Sequence, residues 1–108
     1  MTRRYTEPEL IAAVPPLTRE RLVRYARLSI VTPLQTEEGP RYREIDARRM
    51  ALLCELTDDF DLDEDALVIV MSLLDQLHGA RARLGSVMRA LADEEAEVRR
   101  RVARRLAD

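Results

Sequence analysis

The chain has 108 residues, a formal net charge of −2 and a single cysteine, Cys54. That length suits one domain around one modest core, and one cysteine excludes an internal disulfide. No run of about 18 apolar residues is present to span a bilayer, and Met1-Thr2-Arg3-Arg4-Tyr5 lacks the apolar core of a signal peptide, so the expected compartment is the cytoplasm.

Leu, Val, Ile and Ala dominate the apolar residues, while aromatics and Gly are few and Trp is absent; the mix predicts a mostly helical fold. All basic residues are Arg, which a GC-rich genome also produces, so their number alone does not indicate nucleic acid. Their placement says more. Residues 1–49 carry ten Arg against seven acids (+3), residues 50–78 carry eight acids and no base (−8), and residues 79–108 carry eight Arg against five acids (+3).

At the start, Thr6-Glu7-Pro8-Glu9 reads as a capping box: Thr6 caps, Glu9 sits at the reciprocal position, and Pro8 suits a first turn. Leu10, Ile11 and Val14 mark the apolar side of this first helix, and Pro15-Pro16 ends it. Thr18 caps a second helix, Arg19 to Leu28, with Leu22 and Tyr25 inward. Two short helices joined by a tight turn form a helix-turn-helix unit. Ile30 to Gln35 reads as a short strand, and Thr36 to Pro40 as the turn of a hairpin returning through Arg41-Tyr42-Arg43, which makes a small β wing. A third helix is predicted over Asp46 to Thr57, with Met50, Leu53, Cys54 and Leu56 buried. Cys54, within that apolar pattern, is read as a small hydrophobe.

Asp58-Asp59-Phe60-Asp61-Leu62-Asp63-Glu64-Asp65 then leads into Ala66 to Met71, an unbroken apolar run. Acids in a first turn complement the helix dipole, and Asp63 is placed to cap. Six acids exceed what a cap requires, so Asp58, Asp59, Asp61, Asp63, Glu64 and Asp65 form a candidate partner-binding face, the alternative being a solvated helix start; Phe60 and Leu62 are read as core anchors of the turn, the alternative being apolar contacts within that face. The fourth helix, from about Glu64 to Leu77, is apolar on most sides and predicted to be widely covered. Beyond it, Leu67 and Leu74 form one seam, and Val70, Leu77, Leu84, Leu91 and Val98 another, each with a spacing of seven; Met88 and Val102 fall in register. Arg81 and Glu95 interrupt the first seam. The pattern predicts a homodimer through Leu67, Val70, Leu74, Leu77, Leu84, Met88 and Leu91; the alternative is that Leu84, Met88 and Leu91 pack back on the same chain. The expected organisation is a domain over 1–77 and a C-terminal helical dimerisation segment and tail over 78–108.

No catalytic set is visible. There is no glycine-rich phosphate loop, no Cys with a suitable His, and no spaced metal ligands; His78 stands alone, and residues 58–65 lack the glycine turn and distal Glu of a calcium loop. The expectation is a protein that is not an enzyme and needs no cofactor or metal.

From Tyr5 to Leu77 the order of elements resembles the winged helix-turn-helix of the MerR superfamily: Tyr5-Thr6 entering the first helix, then Leu22, Tyr25 and Arg27, then Val31 and Pro33, and Gly39, Arg41 and Tyr42 in the wing. Glu55-Leu56, Asp59 to Asp63 and Met71 to Leu77 are more similar to the chaperone-modulatory proteins of the CbpM type. The resemblance implies a mostly α, MerR-like winged helix-turn-helix with a C-terminal dimerisation helix. It also implies a non-enzymatic inhibitor that binds the J-domain of a DnaJ-like (CbpA-type) co-chaperone in competition with DnaK.

The two branches of that resemblance need opposite charges. A DNA-binding regulator of the heat-shock repressor type would set its second helix and wing on phosphate through Arg19, Arg21, Arg24, Arg41 and Arg43, yet Glu37 and Glu38 sit at the wing tip. A J-domain, whose second helix is typically basic, suits the acidic face. The expectation is therefore a co-chaperone inhibitor, with a DNA-binding regulator as the alternative.

Overall fold

The computed structural model describes residues 3–108. Met1 and Thr2, where the reading of the N-terminus as lacking a signal-peptide core begins, lie outside the described residues. The described residues are 70% helical, with five helices and one three-stranded antiparallel sheet. They fall into two compact units, one ending at Met71 and the other beginning at Ser72, inside the fourth helix.

The first unit holds β1 (Arg4–Tyr5), α1 (Glu7–Ala13), α2 (Arg19–Arg27), β2 (Leu34–Thr36), β3 (Gly39–Arg43), α3 (Glu44–Phe60) and the start of α4 (Glu64–Ala92). Local chemistry sets most of these limits. The Thr6 hydroxyl accepts from Glu9 N–H at 3.3 Å and the Glu9 carboxylate accepts from Thr6 N–H at 2.9 Å, which is the expected capping box on α1. Val14 turns extended before the two prolines. The Thr18 hydroxyl accepts from Arg21 N–H and opens α2. Ser29, left-handed at φ 59°, closes α2 by letting Ile30 N–H reach the Tyr25 carbonyl.

The strand order is β1-β3-β2, with Arg4 opposite Arg43, Tyr5 opposite Tyr42, and Thr36 opposite Gly39. Residues 4–5 were expected to lead straight into a helix; instead they form the outer strand against β3. The strand expected over Ile30–Gln35 starts only at Leu34. Ile30 and Val31 are buried without joining the ladder, because the Arg49 guanidinium donates twice to the Ile30 carbonyl, at 2.9 and 3.2 Å, and Pro33 has no N–H to offer a ladder.

Tyr25, Leu10, Leu22, Met50, Leu53 and Cys54 are sealed from solvent and form the centre of the core. The Tyr25 hydroxyl lies 3.0 Å from that of Thr57. Thr57 spends its own proton on the Leu53 carbonyl, so Tyr25 is the donor, and α2 is pinned to α3 by a satisfied buried pair. Burial pushes the Tyr25 hydroxyl pKa up. At the sheet, the Tyr5 hydroxyl donates to Glu44 at 2.9 Å, and that bond raises its pKa. Asp46 is buried, yet it accepts from the Arg43 backbone N–H and guanidinium and so caps α3 from within.

The third helix extends beyond the predicted Asp46–Thr57 at both ends. Asp58, Asp59 and Phe60 occupy its last turn, and Asp61, left-handed at φ 53°, terminates it. Asp58, in that last turn, meets Arg21 of α2.

In the second unit, α4 continues to Ala92 and α5 spans Ala96–Ala107. The helix predicted to run unbroken into the tail stops at Asp93–Glu95. Asp93 and Glu94 N–H groups bond three residues back, the Arg99 guanidinium caps the Ala92 carbonyl, and Glu95 is extended at the start of α5. Val98 and Val102 therefore belong to a separate helix and do not prolong the seam of α4.

Candidate functional site

The acidic stretch is divided by the turn between α3 and α4. Asp63 accepts from Ala66 N–H at 2.9 Å and caps α4 as expected. Both Asp58 oxygens are taken by Arg21, at 2.6 and 3.1 Å. That pairing holds the Asp58 carboxyl below its ordinary range and pushes the Arg21 guanidinium up. Glu64 lies 3.4 Å from Arg24. Three of the six acids remain: Asp59, Asp61 and Asp65 are exposed, and no cation stands against them among the described residues.

Phe60 and Leu62 were expected to anchor the turn in the core. Leu62 is half-buried, but Phe60 is 66% exposed. With α3 prolonged to residue 60, the Phe60 ring falls on the outer side of its last turn. The junction thus leaves one aromatic ring and three unpaired carboxylates exposed within residues 59–65.

The five arginines proposed for phosphate are all engaged within the chain. Arg19 meets Glu7 at 3.4 Å, Arg21 meets Asp58, Arg24 meets Glu64, Arg41 meets Glu38 at 3.3 Å, and Arg43 meets Asp46 at 3.2 Å. The exposed pairs among them are weak, each contributing about 0–1 kcal/mol. A groove of about 400 Å³ runs along α2, lined by Arg19, Glu20, Val23, Arg24, Arg27 and Glu64. Arg27 and Val23, 47% exposed, belong to this groove. Their spacing from Arg19 and Arg24 on one helix was the available signal for both.

Along α4, Leu67 is buried, so this residue of the predicted dimer seam belongs to the core of the first unit. Val70, Leu74 and Leu91 are half-buried, and Leu77, Leu84 and Met88 are exposed. The wide cover expected over the fourth helix is missing within one chain: Ile69, Leu73 and Val87 are exposed as well. In the second unit, Leu73, Leu77, Leu84 and Val87 recur at helical spacing and share one stripe. Leu73 and Val87 lie outside the predicted seam because a strict spacing of seven skips them.

Among the described residues no group of three or more His, Cys, Asp or Glu is placed to hold a metal ion, and no helix is long and apolar enough to cross a membrane. No protein-family model, curated protein or solved structure matches the chain.

Proposed function

We propose that the chain is a non-enzymatic, cytoplasmic modulator of the CbpM type, built as a MerR-like winged helix-turn-helix, which binds the basic J-domain of a DnaJ-like co-chaperone and competes there with DnaK. In this reading α1 and α2 form the helix-turn-helix, β2 and β3 the wing, and α4 the dimerisation helix of a homodimer. The observation that carries the proposal is the α3–α4 junction, where Asp59, Asp61 and Asp65 are exposed and unpaired and Phe60 is exposed as well.

The helix dipole accounts for Asp65, in the first turn of α4, but not for Asp59 or Asp61. Asp59 lies in the last turn of α3, where the helix dipole disfavours negative charge, and Asp61 holds a left-handed backbone without being glycine. Residues that stand against local preference are the ones expected to serve a partner. An unpaired acidic face also steers a basic helix by long-range attraction. The DNA-binding reading draws less support, because Arg19, Arg21, Arg24, Arg41 and Arg43 each have a carboxylate beside them.

The test is titration calorimetry of the full chain with an isolated J-domain. Asp59→Asn and Asp61→Asn together keep the shape of the turn, since Asn accepts a left-handed backbone, and are expected to weaken binding about tenfold at low salt. Undiminished binding by this variant removes the acidic-face mechanism, and no binding by the parent chain removes the co-chaperone reading itself.

A further inference from the structure

We infer that α5 lies flat on an anionic lipid surface, with its aliphatic stripe at the acyl boundary and its arginines among the head groups. Val98, Val102 and Leu106 recur at every fourth residue of the helix, so they fall within about 80° of its circumference. Arg100, Arg101, Arg104 and Arg105 take the other side. The stripe is not spent on a core. No residue of α5 is buried, Val98 and Val102 are half-buried, and Leu106 is 76% exposed. A helix of 12 residues draws little stability from its own backbone in water and depends on cover for its apolar side.

The charge indicates what that cover is. α5 carries five Arg against one acid, Glu97. On α2, Arg19, Arg21 and Arg24 each meet a carboxylate; among the described residues none meets Arg100, Arg101, Arg104 or Arg105. Arg99 donates to the Ala92 carbonyl. Anionic lipid attracts such a basic side, and the apolar side enters the boundary between head groups and acyl chains. A nucleic-acid backbone would use the arginines and leave Leu106 in water. The stripe is narrow and has no aromatic ring, so the contact is shallow and the arginines carry most of the attraction. The chain as a whole has a net charge of −2, so attraction to an anionic surface must come from a local cluster rather than from overall charge.

The inference is independent of the co-chaperone reading. It is tested by co-sedimentation of the full chain with vesicles of equal parts phosphatidylglycerol and phosphatidylcholine, against phosphatidylcholine alone. The parent is expected to bind the anionic vesicles about tenfold or more tightly at about 150 mM salt. Arg100→Gln with Arg104→Gln is expected to weaken that binding about tenfold. Leu106→Gln, which leaves the charge unchanged, is expected to weaken it about fivefold. Arg19→Gln with Arg24→Gln removes the same charge from α2 and is expected to bind as the parent does. All five substituted side chains are exposed, and circular dichroism checks that each variant stays folded. A labelled DNA duplex at the same salt is expected to bind more weakly than the anionic vesicles. The proposal is overturned if the parent ignores the anionic vesicles, if Leu106→Gln binds them undiminished, if the α2 pair loses as much as the α5 pair, or if the duplex is preferred.

Discussion

Arg21 and Asp58 meet as two parallel forks, Nη2 to Oδ1 at 2.6 Å and Nη1 to Oδ2 at 3.1 Å, across 37 residues of sequence. The pair ties the first turn of α2 to the last turn of α3 and supplies the cation that the negative end of α3 requires. The guanidinium holds the Asp58 carboxyl below its usual value, so near pH 4 the folded chain binds fewer protons than the unfolded one. The pair therefore stabilises the fold at neutral pH, and the contribution is lost as pH falls through the depressed value. Melting followed by circular dichroism from about pH 7 to about pH 3 is expected to show a steeper acid decline for the parent than for Asp58→Asn. Equal slopes would show that the fork contributes nothing.

Ser29 closes α2 in the left-handed region at φ 59°, where a side chain costs about 1 kcal/mol and glycine is unstrained. Ser29→Gly is expected to raise unfolding stability by about 0.5 kcal/mol after the greater freedom of glycine in the unfolded chain is allowed for. Urea denaturation measures it, and a lower midpoint would mean that the hydroxyl contributes more than the backbone strain costs.

Gly39 tests the opposite case in the β2–β3 turn. Its φ is +112°, and an added Cβ would come no nearer than 3.7 Å to its closest neighbour, the Arg41 guanidinium. Space is thus available, and only the backbone objects. Gly39→Ala is expected to destabilise the fold by about 1–2 kcal/mol. A neutral result in the same denaturation experiment would show that the turn relaxes to another form.

The exposed stripe of α4 gives the assembly prediction. Leu77, Leu84 and Val87 are 43%, 61% and 61% exposed on one side of the helix, and an exposed apolar stripe is where a second copy would pack. Replacing Leu84 and Val87 by Glu is expected to convert a homodimer to a folded monomer in light scattering, with helical content retained. A parent chain that is already monomeric at about 100 µM would refute the dimer, and collapse of the variant would place these residues in an intrachain core.

Short-range signals were legible in the sequence. Thr6 with Glu9, Thr18 and Asp63 each cap a helix where their residue types required it, and Pro15-Pro16 stopped α1 because proline restricts the residue before it. Tyr25, Leu22, Met50, Leu53 and Cys54 are buried as their spacing indicated. What escaped was pairing over long separations. No local pattern marks Arg4–Tyr5 as a strand, since its partner is β3, and none marks Asp58 as the partner of Arg21, 37 residues away. The candidate site suffered most from this. The six acids between residues 58 and 65 read as one face, whereas Asp58 and Glu64 are held by α2, Asp63 caps α4, and only Asp59, Asp61 and Asp65 remain exposed and unpaired.

The two-residue strand β1 also bears on the order in which the chain assembles. Tyr5 bonds Glu44 across 39 residues, and its ladder partner is Tyr42, so nothing in the first quarter of the polypeptide completes the sheet. Arg4–Tyr5 can join the sheet only where β3 is present to pair with it. Closing so long a loop costs entropy before any contact repays it. The segment Arg4–Tyr5 thus latches the first unit across a long stretch of chain.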